Sequence, residues 1–112
     1  MSKFDEKVQM YKAEIANLGL KISDDLLTKV SKGLGPSIYL TDASLVSGSD
    51  KDELDRVKNN FLIKKLGLSD GPALDKAIAE TVTEMGTSNK NKHRAIFYSL
   101  LVKKLGKESF YK

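Results

Sequence analysis

The chain has 112 residues, neither cysteine nor tryptophan, and 19 Lys and Arg against 15 Asp and Glu, for a formal net charge of +4. This length suits one domain spanning residues 1–112, and without cysteine there are no disulfides, thiolate nucleophiles or cysteine-held zinc or iron–sulfur centres. No run reaches the roughly eighteen apolar residues of a membrane span. The opening MSKFDEKVQM also carries charge where a secretory leader needs an apolar stretch, so the expectation is a cytoplasmic protein with no membrane association.

Apolar spacing then predicts helices in chain order. Phe4, Val8, Tyr11, Ile15 and Leu18 recur at intervals of three and four, one stripe of a helix over residues 3–18. Gly19 ends that helix, because glycine takes the left-handed conformation beyond a helix end at little cost. Ser23 is a suitable N-cap for a second helix, with Asp24 and Asp25 in the first turn and Leu26, Leu27 and Val30 on its apolar face. Gly33, Gly35 and Pro36 terminate it.

Residues 33–49 are the least regular. A short helix is expected near residues 42–46 with Thr41 as its cap, and Ile38, Tyr39 and Leu40 are expected to pin the loop to the core. A third helix is predicted over residues 51–66, opened by Asp50 and Glu53 and buried through Leu54, Val57, Phe61, Leu62 and Leu66. A fourth begins near Gly71 or Pro72, with its stripe at Leu74, Ala77, Ile78, Val82 and Met85. The last is expected to start near Lys90 after Ser88 and to contain AIFYSLLV, apolar most of the way round and so the best central helix. The sum is an all-α, compact, single-domain multi-helical bundle with about five main helices, joined by loops short enough for antiparallel neighbours.

Two phrases nearly repeat: FLIKKLG at residues 61–67 and LLVKKLG at residues 100–106. Both read as helix stops, with buried apolar residues, lysines whose charge suits a last turn, and a terminating glycine. LGLKISDDLLTKV and LGLSDGPALDKAI form a weaker echo of the same stop and restart.

Three phrases carry a family resemblance: KGLGPSIY at residues 32–39, NNFLIKKLGL at residues 59–68 and MGTSNKNKHRAIFYSLLVKKLGKES at residues 85–109. In these, and over nearly its whole length, the chain resembles a small bacterial all-helical family catalogued as a domain of unknown function. The resemblance implies a helical cytoplasmic domain. It implies no activity, cofactor or catalytic residue.

The chemistry-bearing residues are few. His93 is the only histidine, and a lone histidine makes a poor transition-metal site. GLGPS lacks the spacing of a phosphate loop, and DKDELD lacks the order of a calcium loop. No catalytic residue, cofactor or metal ligand is assigned, and enzymatic activity stays an open third reading. Charge is uneven: residues 1–56 hold eight basic and ten acidic residues, whereas residues 57–112 hold eleven and five. Lys90, Lys92 and Arg94, with Lys103 and Lys104, therefore form the candidate site for nucleic acid or another polyanion. Phe97, Tyr98, Leu101, Leu105, Phe110 and Tyr111 are the core or interface candidates, the aromatic tail being able to dock on its own chain or on a second copy. The leading reading is a non-enzymatic protein-interaction domain, with itself as a homodimer or an unknown protein as partner; the alternative is the polyanion binder.

Overall fold

The computed structural model describes residues 3–40, 44–87, 89 and 92–111. Helices α1 (Lys3–Leu18) and α2 (Asp24–Leu34) are followed by a 3-10 turn at Gly35–Tyr39. Helix α3 (Lys51–Arg56) continues without a break into a π-helical segment, Val57–Lys65. Helices α4 (Pro72–Met85) and α5 (Arg94–Lys104) complete the five main helices, and a 3-10 turn at Glu108–Tyr111 ends the described chain. The fold is an all-α single-domain bundle, with a radius of gyration of 13.0 Å, as expected of a compact chain this long. No helix among the described residues is long and apolar enough to cross a membrane.

Helix α5 is the centre. Every residue from 95 to 102 is buried, and α1, α2 and α4 all pack on it. The predicted stripes supply the facing surfaces: Val8, Tyr11 and Ile15 from α1, Leu26, Leu27 and Val30 from α2, and Leu74, Ala77, Ile78 and Met85 from α4. Phe97, Tyr98 and Leu101 are accordingly core residues, and Leu105 is partly buried against them.

The third helix departs from the α-helical expectation, and its apolar spacing gives the reason. Val57 and Leu66 are both buried and lie nine residues apart. Nine residues are two and a half turns of an α-helix, which would put the two on opposite faces. They are about two turns of the wider i→i+5 helix, at roughly 4.4 residues per turn. The π form thus brings Val57, Phe61, Leu62 and Leu66 to one side, where Phe61 stacks on Tyr98 with ring centroids 3.9 Å apart.

The last helix starts later than expected, at Arg94 with His93 as its N-cap residue. The segment before it pairs instead with the loop from α2 to α3. Val46 N–H donates to the Lys92 carbonyl at 2.8 Å and Arg94 N–H to the Ser44 carbonyl at 2.7 Å, flanking an antiparallel bridge between Leu45 and His93. In place of the short helix expected near residues 42–46, Ser44 is in a turn, its N–H donating to the Leu40 carbonyl, and Leu45 and Val46 pair as extended chain. Thr41, Asp42 and Ala43 lie outside the described residues, as do Ser88 and Lys90. Ile38 pins its loop as expected, but Tyr39 and Leu40 do not, being 42% and 60% exposed.

The two KKLG phrases are helix stops of related geometry. After α5, Gly106 N–H donates to the Lys103 carbonyl and Lys107 N–H to the Val102 carbonyl, the paired bonds of a Schellman turn. After the π segment each bond spans one residue more: Gly67 N–H reaches the Ile63 carbonyl and Leu68 N–H the Leu62 carbonyl. Both glycines have positive φ, 71° at Gly67 and 67° at Gly106, with open space where a Cβ would sit. Alanine there meets only the backbone penalty. Gly67→Ala should lower the unfolding free energy by about 1–2 kcal/mol, and Gly106→Ala similarly. Lys64→Gln, at an exposed position, should change it by less than about 0.5 kcal/mol. Urea unfolding of the three variants checks this order; a lysine effect larger than both glycine effects would contradict it.

Candidate functional site

Seen from the basic cluster outward, the structure separates the expected cations. Lys90 lies outside the described residues. Lys92 is only 2% exposed, with its Nζ donating to the Asn89 carbonyl and the end of its side chain packed beside Gly48. Burial lowers its pKa, because the charged form loses hydration. Arg94 is tied inward. Its Nη2 donates to Glu53 Oε1 and to the Leu45 carbonyl, and its Nη1 donates to the Tyr98 hydroxyl at 2.8 Å. The same Glu53 accepts two bonds from Arg56 through Oε2. Lys92 and Arg94 thus hold the loop at residues 44–48 against α5 and do not jointly present an exposed cationic face.

Glu53 was expected only as a first-turn residue of α3. Its second role, anchoring Arg94 across 41 positions of sequence, has no signal in local spacing. Burial alone would raise its pKa, but the hydrogen bonds from Arg94 and Arg56 outweigh this and hold the carboxyl below its ordinary value.

His93 is half-buried, its ring 5.3 Å from that of Tyr11. Burial lowers its pKa; Glu14 opposes the shift and Lys7 adds to it. The Tyr11 hydroxyl is buried without a hydrogen-bond partner, and burial, reinforced by Tyr39, pushes it up to about 12. No described nucleophile is paired with His93, and among the described residues no group of three or more His, Asp or Glu could hold a metal ion.

Lys103 and Lys104 stand elsewhere, on a groove of about 510 Å³ between the turn after α1, the end of α4 and the end of α5. Leu18, Leu20 and Leu100 line it together with Lys21 and Glu84. Lys103 Nζ donates to the Lys21 carbonyl, and Lys104 Nζ pairs with Glu84.

A second surface is apolar. Among the described residues, Met10, Tyr39, Leu40 and Phe110 are the exposed large hydrophobic ones, and the first two share a groove. Met10 and Tyr39 line one groove with Lys3, Glu6 and Lys7, and Leu40 follows Tyr39 in the chain. Positions 3, 6, 7 and 10 have helical spacing, one residue out of step with the buried stripe at 4, 8 and 11. That spacing was available in the sequence, although a lone methionine on it gave no cause for attention. The aromatic tail divides: Tyr111 packs partly buried on its own chain, with Lys65 Nζ 5.9 Å from its ring centroid, while Phe110 faces solvent.

These features define the class: a five-helix all-α domain whose surface offers one apolar face and one lysine-rimmed groove. The family follows from comparison. A family model described as "Protein of unknown function (DUF2853)" matches residues 10–109, and the chain belongs to that family. A search of curated proteins gives no match.

The clasp and the histidine make stability depend on acid in two steps. His93 has a folded pKa below its unfolded value of 6.5, so its contribution is present above that pH and is lost as pH falls through the folded pKa. Glu53 acts in the same direction at lower pH, its contribution being lost below the ordinary value of 4.5. Urea unfolding should show stability beginning to fall as pH drops below His93's unfolded value of 6.5, and His93→Gln should flatten that part of the curve. Glu53→Gln should shrink the lower step, to which Asp70, held down by Lys58, also contributes, and, by leaving Arg94 without its carboxylate, cost roughly 3 kcal/mol at neutral pH. A wild-type curve flat from neutral pH down through His93's range would contradict the first assignment, and a neutral Glu53→Gln the second.

Proposed function

We propose that this chain is a non-enzymatic protein-interaction domain that pairs with a second copy of itself through the face made by α1 and the 3-10 turn at Gly35–Tyr39. The observation that carries the reading is the meeting of two exposed large hydrophobic residues, Met10 and Tyr39, in one charged-rimmed groove, with the exposed Leu40 next to Tyr39 in the chain. Scattered exposed apolar residues need no explanation, but grouped ones rimmed by charge mark contact surfaces.

Charge on that face favours a second copy over an unrelated protein. Glu6 lies between Lys3 and Lys7, so the patch carries both signs. A two-fold contact places the same patch on both sides, letting Glu6 of each copy meet a lysine of the other while the apolar residues close between them. The core and interface candidates Phe97, Tyr98 and Leu101 take no part, because the chain's own helices cover them. Tyr111 packs on its own chain and Phe110 is not part of the groove holding Met10 and Tyr39, so the proposed contact does not call on the tail. Cytoplasmic residence fits the absence of cysteine and belongs to the same proposal.

Sedimentation of the wild type over a range of concentrations should show reversible dimer formation. Met10→Glu with Leu40→Asp should weaken it by at least about tenfold, equivalent to about 1.4 kcal/mol, with helicity unchanged. Phe110→Ser should leave it intact. A wild type that stays monomeric at the highest concentrations, or a double variant that dimerises like the wild type, would overturn the proposal.

A further inference from the structure

The groove at the end of α5 has a composition that neither self-association nor helix termination requires. Three lysines, Lys21, Lys103 and Lys104, stand around it with one carboxylate, Glu84. Its lining also includes the leucines Leu18, Leu20 and Leu100, of which Leu100 is buried and the other two pack partly buried against the core. A volume of about 510 Å³ lies in the range of small-molecule sites. We infer that this groove binds a small amphiphile with a singly charged anionic head, of the medium-chain carboxylate class.

Three features support that chemistry. Two of the three ammonium groups are held in place before any ligand arrives: Lys103 is anchored on the Lys21 carbonyl and Lys104 on Glu84. An ammonium has three donors, and these anchors use one on each lysine, leaving donors for a carboxylate. Holding them in place also reduces the side-chain ordering that binding would otherwise require. The charge balance, three cations against one anion, suits a head group of low charge better than a polyphosphate. The leucines give an apolar tail a place to lie, which a nucleic-acid backbone or inorganic phosphate would not use.

Helix termination explains only part of the arrangement. Lysine in the last turn of α5 is favoured by the helix dipole, but Lys21 belongs to the turn after α1 and Glu84 to α4. Three elements converge on one groove from different parts of the chain. The site is also separate from the α1 face, since the two groove linings share no residue.

The test is titration of the full chain with sodium octanoate, followed by amide shifts of Gly19, Leu20 and Leu100 in ¹H–¹⁵N spectra. Saturable shifts at these residues are expected, with affinity rising about two- to fourfold per methylene from butanoate to octanoate and much weaker binding of octanol. Lys21→Gln with Lys103→Gln should weaken octanoate binding at least about tenfold without moving the thermal midpoint. Lys21→Gln alone, at an exposed side chain, should weaken it measurably and keeps the test open if the double variant does not fold. No saturable shift in the groove, equal binding of octanol and octanoate, or unchanged affinity in the folded lysine variants would overturn the inference. Hexyl phosphate binding tenfold tighter than hexanoate would overturn the carboxylate assignment.

Discussion

A helical segment with no solvent face must be surrounded, and residues 95–102 of α5 are such a segment. Residues 95–102 are all buried, so the chain has to supply cover on every side within one small bundle. Helices α1, α2 and α4 do so with single apolar stripes, and the π segment adds Phe61 against Tyr98. Burial of large side chains at roughly 1.5–3 kcal/mol each makes this the dominant favourable term. It also decides where function can lie. The most apolar segment is enclosed by its own chain, and contact surfaces must be sought on the outer faces of the helices that cover it.

The polar contacts fix how the cover meets the central helix. Arg94, in the first turn of α5, reaches Glu53 of α3, the Leu45 carbonyl of the loop and Tyr98 one turn further along α5. One guanidinium therefore ties three parts of the chain together at the end of α5 where the helix dipole least favours a cation. The carboxylate of Glu53 offsets that placement. The π segment is a parallel accommodation: its wider turn keeps four apolar residues facing the core at a spacing an α-helix would scatter, and the chain leaves it through a correspondingly widened glycine stop.

Much of this was legible in the sequence. Intervals of three and four placed α1, α2 and α4, because period reports which side of a helix is buried. Glycine marked the stops at Gly19, Gly67 and Gly106, because positive φ is a local demand of the backbone. Ser23 was readable as a cap and does accept from Leu26 N–H. What the sequence concealed depends on long-range partners. Lys92 and Arg94 look like exposed charge in KNKHRA, yet the loop from residue 44 folds over one and Glu53 binds the other. Tyr39 and Leu40 look like core beside Ile38, yet a tight 3-10 turn buries only the isoleucine. The partners of Lys103 and Lys104 in the groove, Lys21 and Glu84, come from two other elements, so no local pattern joins them.

The central claim is that α5 is satisfied within the monomer and that association uses α1. Because the chain lacks cysteine, single introduced thiols can carry spin labels without interference. Labels at Gln9, exposed on α1, and at Lys76, exposed on α4, distinguish the faces by inter-copy dipolar distance at concentrations that favour the dimer. The account predicts a short, well-defined distance for Gln9→Cys and a longer one for Lys76→Cys. A short distance at Lys76→Cys with none resolved at Gln9→Cys would contradict it.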